Sequence, residues 1–243
     1  MVTPRQMRLT ARHVDLLRRD MPDPGPEAHL VEGFRAATDA DYDAAVGGML
    51  AARPPGPFWL FAYGSLIWNP ATAFIEMRTA VAHGWHRRFC LGWDYRYRGC
   101  AEAPGLMLAL DRGGTCRGVV YRLPEATLET ELHQLIRREQ SMVPSAFPWR
   151  FVDTRSGTEP VRALTFAMNR RSGRYVAGLG DGQLADVLAT AHGCRGSMAE
   201  YLHATVSRLE ELGVHDRNLW RLQELVAARI EAIHGPIEMS DSS

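Results

Sequence analysis

Phe58-Trp-Leu-Phe-Ala-Tyr-Gly-Ser-Leu-Ile-Trp-Asn-Pro70 is the stretch that decides how this chain folds. An apolar run rich in aromatic residues stops abruptly at Gly64. A continuous run of this kind suits a strand buried on both faces, and glycine directly after it marks a sharp turn or a close backbone approach. Such a turn leaves several peptide N–H groups pointing at one spot, as an anion or oxyanion cradle does. What faces Tyr63-Gly64-Ser65-Leu66 therefore decides the chemistry.

Upstream of that run the pattern is helical. Residues 5–20 place Leu9, Val14, Leu16 and Leu17 among charges, which predicts a short amphipathic helix. Met21-Pro-Asp-Pro-Gly-Pro26 forbids helix and reads as a linker. Asp39 or Asp41 is expected to cap a helix running to Ala52, ended by Pro54-Pro55-Gly56-Pro57. Downstream, strand signals follow at short spacing: Phe74–Val81, Arg87–Trp93, Leu106–Leu110 and Thr115–Arg122, separated by Gly84, Gly99, Gly105 and Gly113-Gly114. Val161–Met168 adds a later strand. After residue 182 the pattern returns to helix, over 183–192, 197–212 and 216–233, with a capping box at Ser197 and Glu200 and C-caps at Gly213 and Gly235. Short strands with glycine-rich turns and few intervening helices predict an α+β chain, an antiparallel barrel or curved sheet rather than a doubly wound fold, with a helical C-terminal third. The expected organisation is a helical extension over 1–55, the main body over 56–235 and a frayed tail over 236–243.

With 243 residues, 28 basic and 28 acidic, the formal net charge is zero, which points away from nucleic acid and anionic membrane as partners. All of the basic residues are arginine. The absence of lysine excludes a Schiff-base lysine, a Walker A lysine and a kinase strand lysine. Cys90, Cys100, Cys116 and Cys194 show neither C-x-x-C nor zinc-ligand spacing, so free thiols in a reducing, cytoplasmic setting are expected. The start Met1-Val-Thr-Pro-Arg carries no secretory pattern, and no apolar stretch approaches the ~20 residues a membrane span needs.

The best helix in the middle of the chain is Pro124-Glu-Ala-Thr-Leu-Glu-Thr-Glu-Leu-His-Gln-Leu-Ile-Arg-Arg-Glu139. At roughly 100° per residue, Leu132 lies about 40° from Leu128, Leu135 about −20° and Glu139 about 20°. Glu139 thus falls in the centre of the apolar stripe. A carboxyl on such a face loses hydration, and a helix C-terminus adds to the effect; both raise its pKa and suit it to proton exchange near neutral pH. The alternative is a helix ending at Leu135, with Glu139 solvated or paired with an arginine, and spacing alone favours that alternative.

Several blocks in order resemble the ChaC-type γ-glutamylcyclotransferases: Trp59–Pro70, Gly84-Trp-His-Arg-Arg-Phe-Cys-Leu91, Pro104-Gly-Leu-Met-Leu-Ala-Leu110, Gly118-Val-Val-Tyr-Arg-Leu-Pro124 and Arg138-Glu139. In register they cover residues 55–233. The resemblance implies a small, mostly antiparallel, γ-glutamylcyclotransferase-like β-barrel flanked by helices, Glu139 as catalytic acid/base, and substrate binding by Phe61, Ala62, Tyr63, Gly64, Ser65 and Leu66. It implies a small γ-glutamyl substrate, glutathione or a relative, cleaved by a lyase-type reaction to 5-oxoproline with no metal or organic cofactor. Leu106 stands where many members carry arginine, Ala62 where glycine is common, and Gln140–Trp149 where a glycine and a tyrosine are usual. These departures keep two alternatives open, a catalytically weak binding protein on the same fold and a γ-glutamylamine cyclotransferase. The sequence leaves the oligomeric state open.

Other candidates read as structural. Ser65 lacks a G-x-S-x-G elbow and suits a turn hydrogen bond better than nucleophilic attack. His83 and His86 have no acidic or cysteine neighbours in sequence with which to form a metal site. Cys100 and Cys116 read as small buried hydrophobes. Trp93-Asp-Tyr-Arg-Tyr-Arg-Gly99 is a candidate either for stacking bases or for arginines that receive a substrate carboxylate, the neutral charge favouring the second.

Overall fold

The apolar run does become a strand buried on both faces, and it is the keystone of a closed barrel. The computed structural model describes residues 6–26 and 32–237, so most of the expected frayed tail lies outside the described residues. Its elements in chain order are α1 (Ala11–Leu16), β1 (Arg35–Ala36), α2 (Asp39–Ala51), β2 (Trp59–Ala62), β3 (Glu76–Asp94), β4 (Gly105–Arg122) and α3 (Leu128–Glu139). They continue with β5 (Met142–Val143), β6 (Trp149–Ser156), β7 (Glu159–Phe166), α4 (Asp181–Thr190), β8 (His192–Gly193), β9 (Gly196–Ser197), α5 (Met198–Glu211) and α6 (Arg217–His234). Two compact units result, one of Gly25–Gly92 with Met107–Val176, the other of Met1–Pro24, Trp93–Leu106 and Ala177–Ser243.

In the first unit the barrel order is β2-β4-β3-β6-β7. β2 pairs antiparallel with β4 from Trp59↔Arg122 to Ala62↔Val119, and β7 closes the ring on β2 in parallel at Leu60↔Leu164. β6 and β7 form an antiparallel pair running from Trp149↔Phe166 to Ser156↔Glu159. Trp59, Phe61 and Tyr63 project into the interior, where Ala80, Ala82 and Ala163 on other strands leave them room. This alternation of large and small side chains is how a narrow barrel fills its own centre. Burying one such side chain contributes roughly 1.5–3 kcal/mol.

The four short strands expected between 74 and 122 are two long ones, β3 and β4. Gly84, Gly113 and Gly114 adopt positive φ (80°, 98° and 74°) within the strands rather than ending them. A glycine in this conformation bends a strand and lets pairing resume beyond it. The bends meet: the ring Nδ1 of His86 donates to the Gly113 carbonyl at 2.8 Å. That is the structural task of His86.

β6 went unread in the sequence, because Arg150, Asp153 and Arg155 interrupt the apolar pattern. Its aromatic residues lie on one face, where Phe151 packs edge-on against Phe58 at 5.7 Å and against Trp149 at 6.4 Å. α2 is capped by Thr38 rather than Asp39 or Asp41. Asp41 is instead the reciprocal partner, its carboxylate accepting the Thr38 N–H (2.8 Å) and hydroxyl (2.7 Å).

The second unit holds α1, α4, α5 and α6. The N-terminal helix is shorter than expected and starts only after Thr10. Leu202, Val206 and Leu209 on α5, and Leu219, Leu222, Val226 and Ile230 on α6, recur at helical spacing and are buried. Ser197 caps α5 through the Glu200 N–H (3.1 Å), but the Glu200 side chain turns to Arg98 instead of completing the box.

Candidate active site

The chain leaves β2 at Ala62 and turns at once. The Tyr63 side chain stays in the barrel and donates its hydroxyl proton to the Phe166 carbonyl at 2.9 Å. Ser65–Ile67 then makes one 3₁₀ turn, with Ile67 N–H on the Gly64 carbonyl (2.9 Å) and Asn69 N–H on the Ser65 carbonyl (2.8 Å). The buried Tyr121 hydroxyl reaches the Leu66 and Ile67 carbonyls, both at 3.3 Å. The carbonyls of the turn are thus tied back into the protein. The first N–H groups of a 3₁₀ turn have no partner inside it. Among the described residues none accepts from those of Ser65 or Leu66. These are two donors fixed in place and free for a ligand.

α3 lies along the segment that follows the turn, held at two points. Near its start Glu131, 7% exposed, accepts from the Thr72 hydroxyl (2.9 Å), the Ala73 N–H (2.7 Å) and the Thr127 hydroxyl (3.3 Å). Near its end the Arg138 guanidinium donates to the Asn69 carbonyl. Sequence reasoning missed Glu131, although at about −60° from Leu128 it flanks the apolar stripe. That position was the available signal.

Glu139 is the last residue of α3, so the helix does not stop at Leu135. Its side chain is 15% exposed and Arg138 Nε stands 3.4 Å from Oε1. The carboxyl accepts no hydrogen bond of good geometry from a described residue. Burial pushes its pKa above the ordinary carboxylate range, and the Arg138 charge opposes part of that rise. A dry, unsatisfied carboxyl is a stronger base than a hydrogen-bonded one. Glu131, eight residues earlier on the same helix, is the satisfied counterpart.

Phe61 and Ala62, expected at the site, are fully buried strand residues that precede the turn, Phe61 being part of the interior packing. Arg96 and Arg98 are taken up within the second unit. Arg96 grips Asp23 with two nitrogens (2.7 and 2.9 Å), and Arg98 pairs with Glu200 and the Ser197 carbonyl. Asp94, completely buried, gathers the N–H groups of residues 96–98 at 2.8–3.0 Å and fixes that loop. The expected free carboxylate receptors are therefore structural ion pairs. All four cysteines are free thiols; Cys116 is buried as expected, and Cys100 is half-exposed.

A closed five-strand barrel whose first strand ends in such a turn has the fold of γ-glutamyl cyclotransferases. A yeast γ-glutamyl cyclotransferase specific to glutathione superposes with a TM-score of 0.64 at 21% identity, covering 70% of this chain and 96% of that one. A family model, ChaC-like protein, matches residues 58–229. The chain belongs to the ChaC family. The glutathione-specific gamma-glutamylcyclotransferase of Escherichia coli (strain K12) is 42% identical over 179 residues, 72% of this chain and 76% of that protein. The human glutathione-specific gamma-glutamylcyclotransferase 1 is 28% identical over 153 residues, 61% and 68% of the two chains. Among the described residues no helix is long and apolar enough to cross a membrane.

Proposed function

We propose that this protein is a γ-glutamylcyclotransferase that releases 5-oxoproline from glutathione or a close γ-glutamyl peptide, with Glu139 as its acid/base. The reaction starts when Glu139 takes a proton from the substrate α-ammonium. The freed amine attacks its own γ-carbonyl carbon and a five-membered ring forms. The carbonyl oxygen becomes an oxyanion, which the Ser65 and Leu66 N–H groups receive; one such donor contributes roughly 3–4 kcal/mol. Protonated Glu139 then delivers its proton to the departing amide nitrogen and the carbon–nitrogen bond breaks. The ring nitrogen, cationic since the attack, gives its extra proton back to Glu139 and through it to the released amine. That amine leaves as the ammonium of Cys-Gly when the substrate is glutathione.

Nucleophile and electrophile belong to one molecule, so the protein has only to fold the substrate and move a proton. Intramolecular orientation of this kind supplies about 7–11 kcal/mol. The reaction is an intramolecular aminolysis, of lyase type, suited to the cytoplasm, where glutathione is abundant and thiols stay reduced. The main body from residue 56 carries it, with 1–55 as an extension. The observation that carries the reading is the Glu139 carboxyl, largely buried and without a hydrogen bond from any described residue, beside an arginine anchored to the turn segment. Following 5-oxoproline formation tests it. Glu139→Gln is expected to lower kcat by at least roughly 100-fold, the scale of a lost general acid/base. Equal turnover in the two proteins removes Glu139 from the mechanism.

A further inference from the structure

Arg150 occupies an unusual place for a guanidinium. On β6 it stands opposite Thr165 of β7, and the next pairs on the same face are Val152↔Ala163 and Thr154↔Val161. Cross-strand partners share a face. Ala163 and Val161 belong to the barrel interior, so Arg150 points inward as well. Its height in the barrel is fixed by two bonds. The Thr165 hydroxyl donates to the Phe61 carbonyl at 3.0 Å, and the next residue, Phe166, accepts from Tyr63. Arg150 is therefore level with the end of β2, where the chain turns at Gly64.

No described residue neutralises it. The Nε is cut off from water and has no hydrogen-bond partner. No described carboxylate pairs with the guanidinium, which instead lies over the Trp85 ring at 5.4 Å. Burial, and the like charge of Arg112, push its pKa below the usual arginine range. A partly buried cation beside a second cation, without an anion, destabilises a fold unless a ligand supplies the missing charge. The planar fork that Trp85 holds is the geometry that receives a carboxylate through two parallel bonds.

We infer that Arg150, braced by Trp85, is the receptor for a carboxylate of the γ-glutamyl substrate and sets the preference for anionic peptides. The inference rests on the proposed cyclotransferase reading for the identity of the ligand. Glutathione offers two carboxylates, one on the γ-glutamyl residue and one on the terminal glycine. The same bond geometry serves either.

Turnover of glutathione and of its C-terminal amide by wild type, Arg150→Gln and Arg150→Lys tests the assignment. Arg150→Gln is expected to raise the KM for glutathione by roughly 10- to 100-fold, the loss of a charged hydrogen-bonded contact, with kcat little changed. Arg150→Lys is expected to recover part of that loss, since it keeps the charge and not the fork. If the receptor takes the glycine carboxylate, the amide's KM is equal in wild type and Arg150→Gln. If it takes the γ-glutamyl carboxylate, both substrates suffer alike. Unchanged KM for both substrates in Arg150→Gln overturns the inference. Calorimetric binding of glutathione reads the same contact without turnover. Absence of 5-oxoproline from wild type, with binding still dependent on Arg150, defeats the reaction and leaves the receptor standing.

Discussion

Two glutamates eight residues apart on α3 are expected to respond oppositely to mutation. Glu131 satisfies the Ala73 N–H and two hydroxyls in a buried setting. Truncating it to alanine leaves those donors without an acceptor and frees the loop at Thr72-Ala73 from the helix. A buried hydrogen bond to a charged group contributes about 1.5–3 kcal/mol, and three that act together do not add fully, so the loss is about 3–5 kcal/mol. For a chain of this size each kcal/mol moves the melting temperature by about 2–4 °C, so Glu131→Ala is expected to melt roughly 10 °C lower. Glu139 satisfies nothing comparable and loses hydration on folding. Glu139→Gln is expected to melt at or above wild type at pH 7.5 while losing turnover. Thermal melts of the three proteins at pH 7.5 decide it. A Glu131→Ala protein within 2 °C of wild type, or a Glu139→Gln protein that falls as far as Glu131→Ala, refutes the contrast.

Because burial raises the Glu139 pKa, activity should climb with pH through that raised value, seen as the acidic limb of kcat/KM and absent in Glu139→Gln. Stability moves the other way. As pH rises above the unfolded carboxyl's pKa, about 4.3, the unfolded chain releases the proton while the folded protein keeps it. Wild type therefore loses stability relative to Glu139→Gln until pH passes the folded pKa, and chemical denaturation of both proteins across pH 4–8 reads that divergence. Tyr121→Phe removes the hydroxyl shared by the Leu66 and Ile67 carbonyls; a cost of about 1–2 kcal/mol is expected, with a lower kcat because the turn loosens. A melt and a rate indistinguishable from wild type would show that the turn holds itself. Gly118→Ala places a methyl 2.3 Å from the Ala62 carbonyl oxygen, so β2 and β4 must part just below the turn. Reduced soluble yield or a melting temperature lower by several degrees is the expected reading.

What the sequence made legible was whatever depended on local pattern. The run at 58–63 and the glycine after it dictated a buried strand and a turn, and the 3.6-residue period placed Glu139 on the covered face of α3. Patterns broken by a single residue type misled. Gly84 and Gly113-Gly114 read as ends of strands because a glycine's sign of φ is not written in its neighbours, and here it is positive. β6 was hidden by Arg150, whose inward position in the barrel reverses the expected order of polar and apolar faces. Contacts between distant parts of the chain were beyond reach altogether. Arg96 finds its acid 73 residues away and Arg98 finds Glu200 102 residues away, so both looked available when neither is. Glu131 likewise reaches across 59 residues to Thr72.

β2 has four residues, yet both of its edges are occupied, one by β4 and the other by β7. A strand so enclosed has no room to slide, since a shift of one residue would turn Trp59 and Phe61 outward and empty the centre of the ring. The amides that follow it are consequently anchored to a strand paired on both edges of a closed ring. The stretch after Glu139 is held more locally, with β5 on β1 at two residue pairs, the Ala37 N–H on the Ser141 carbonyl (3.0 Å) and the Gln140 side-chain amide on the Phe147 carbonyl (3.1 Å).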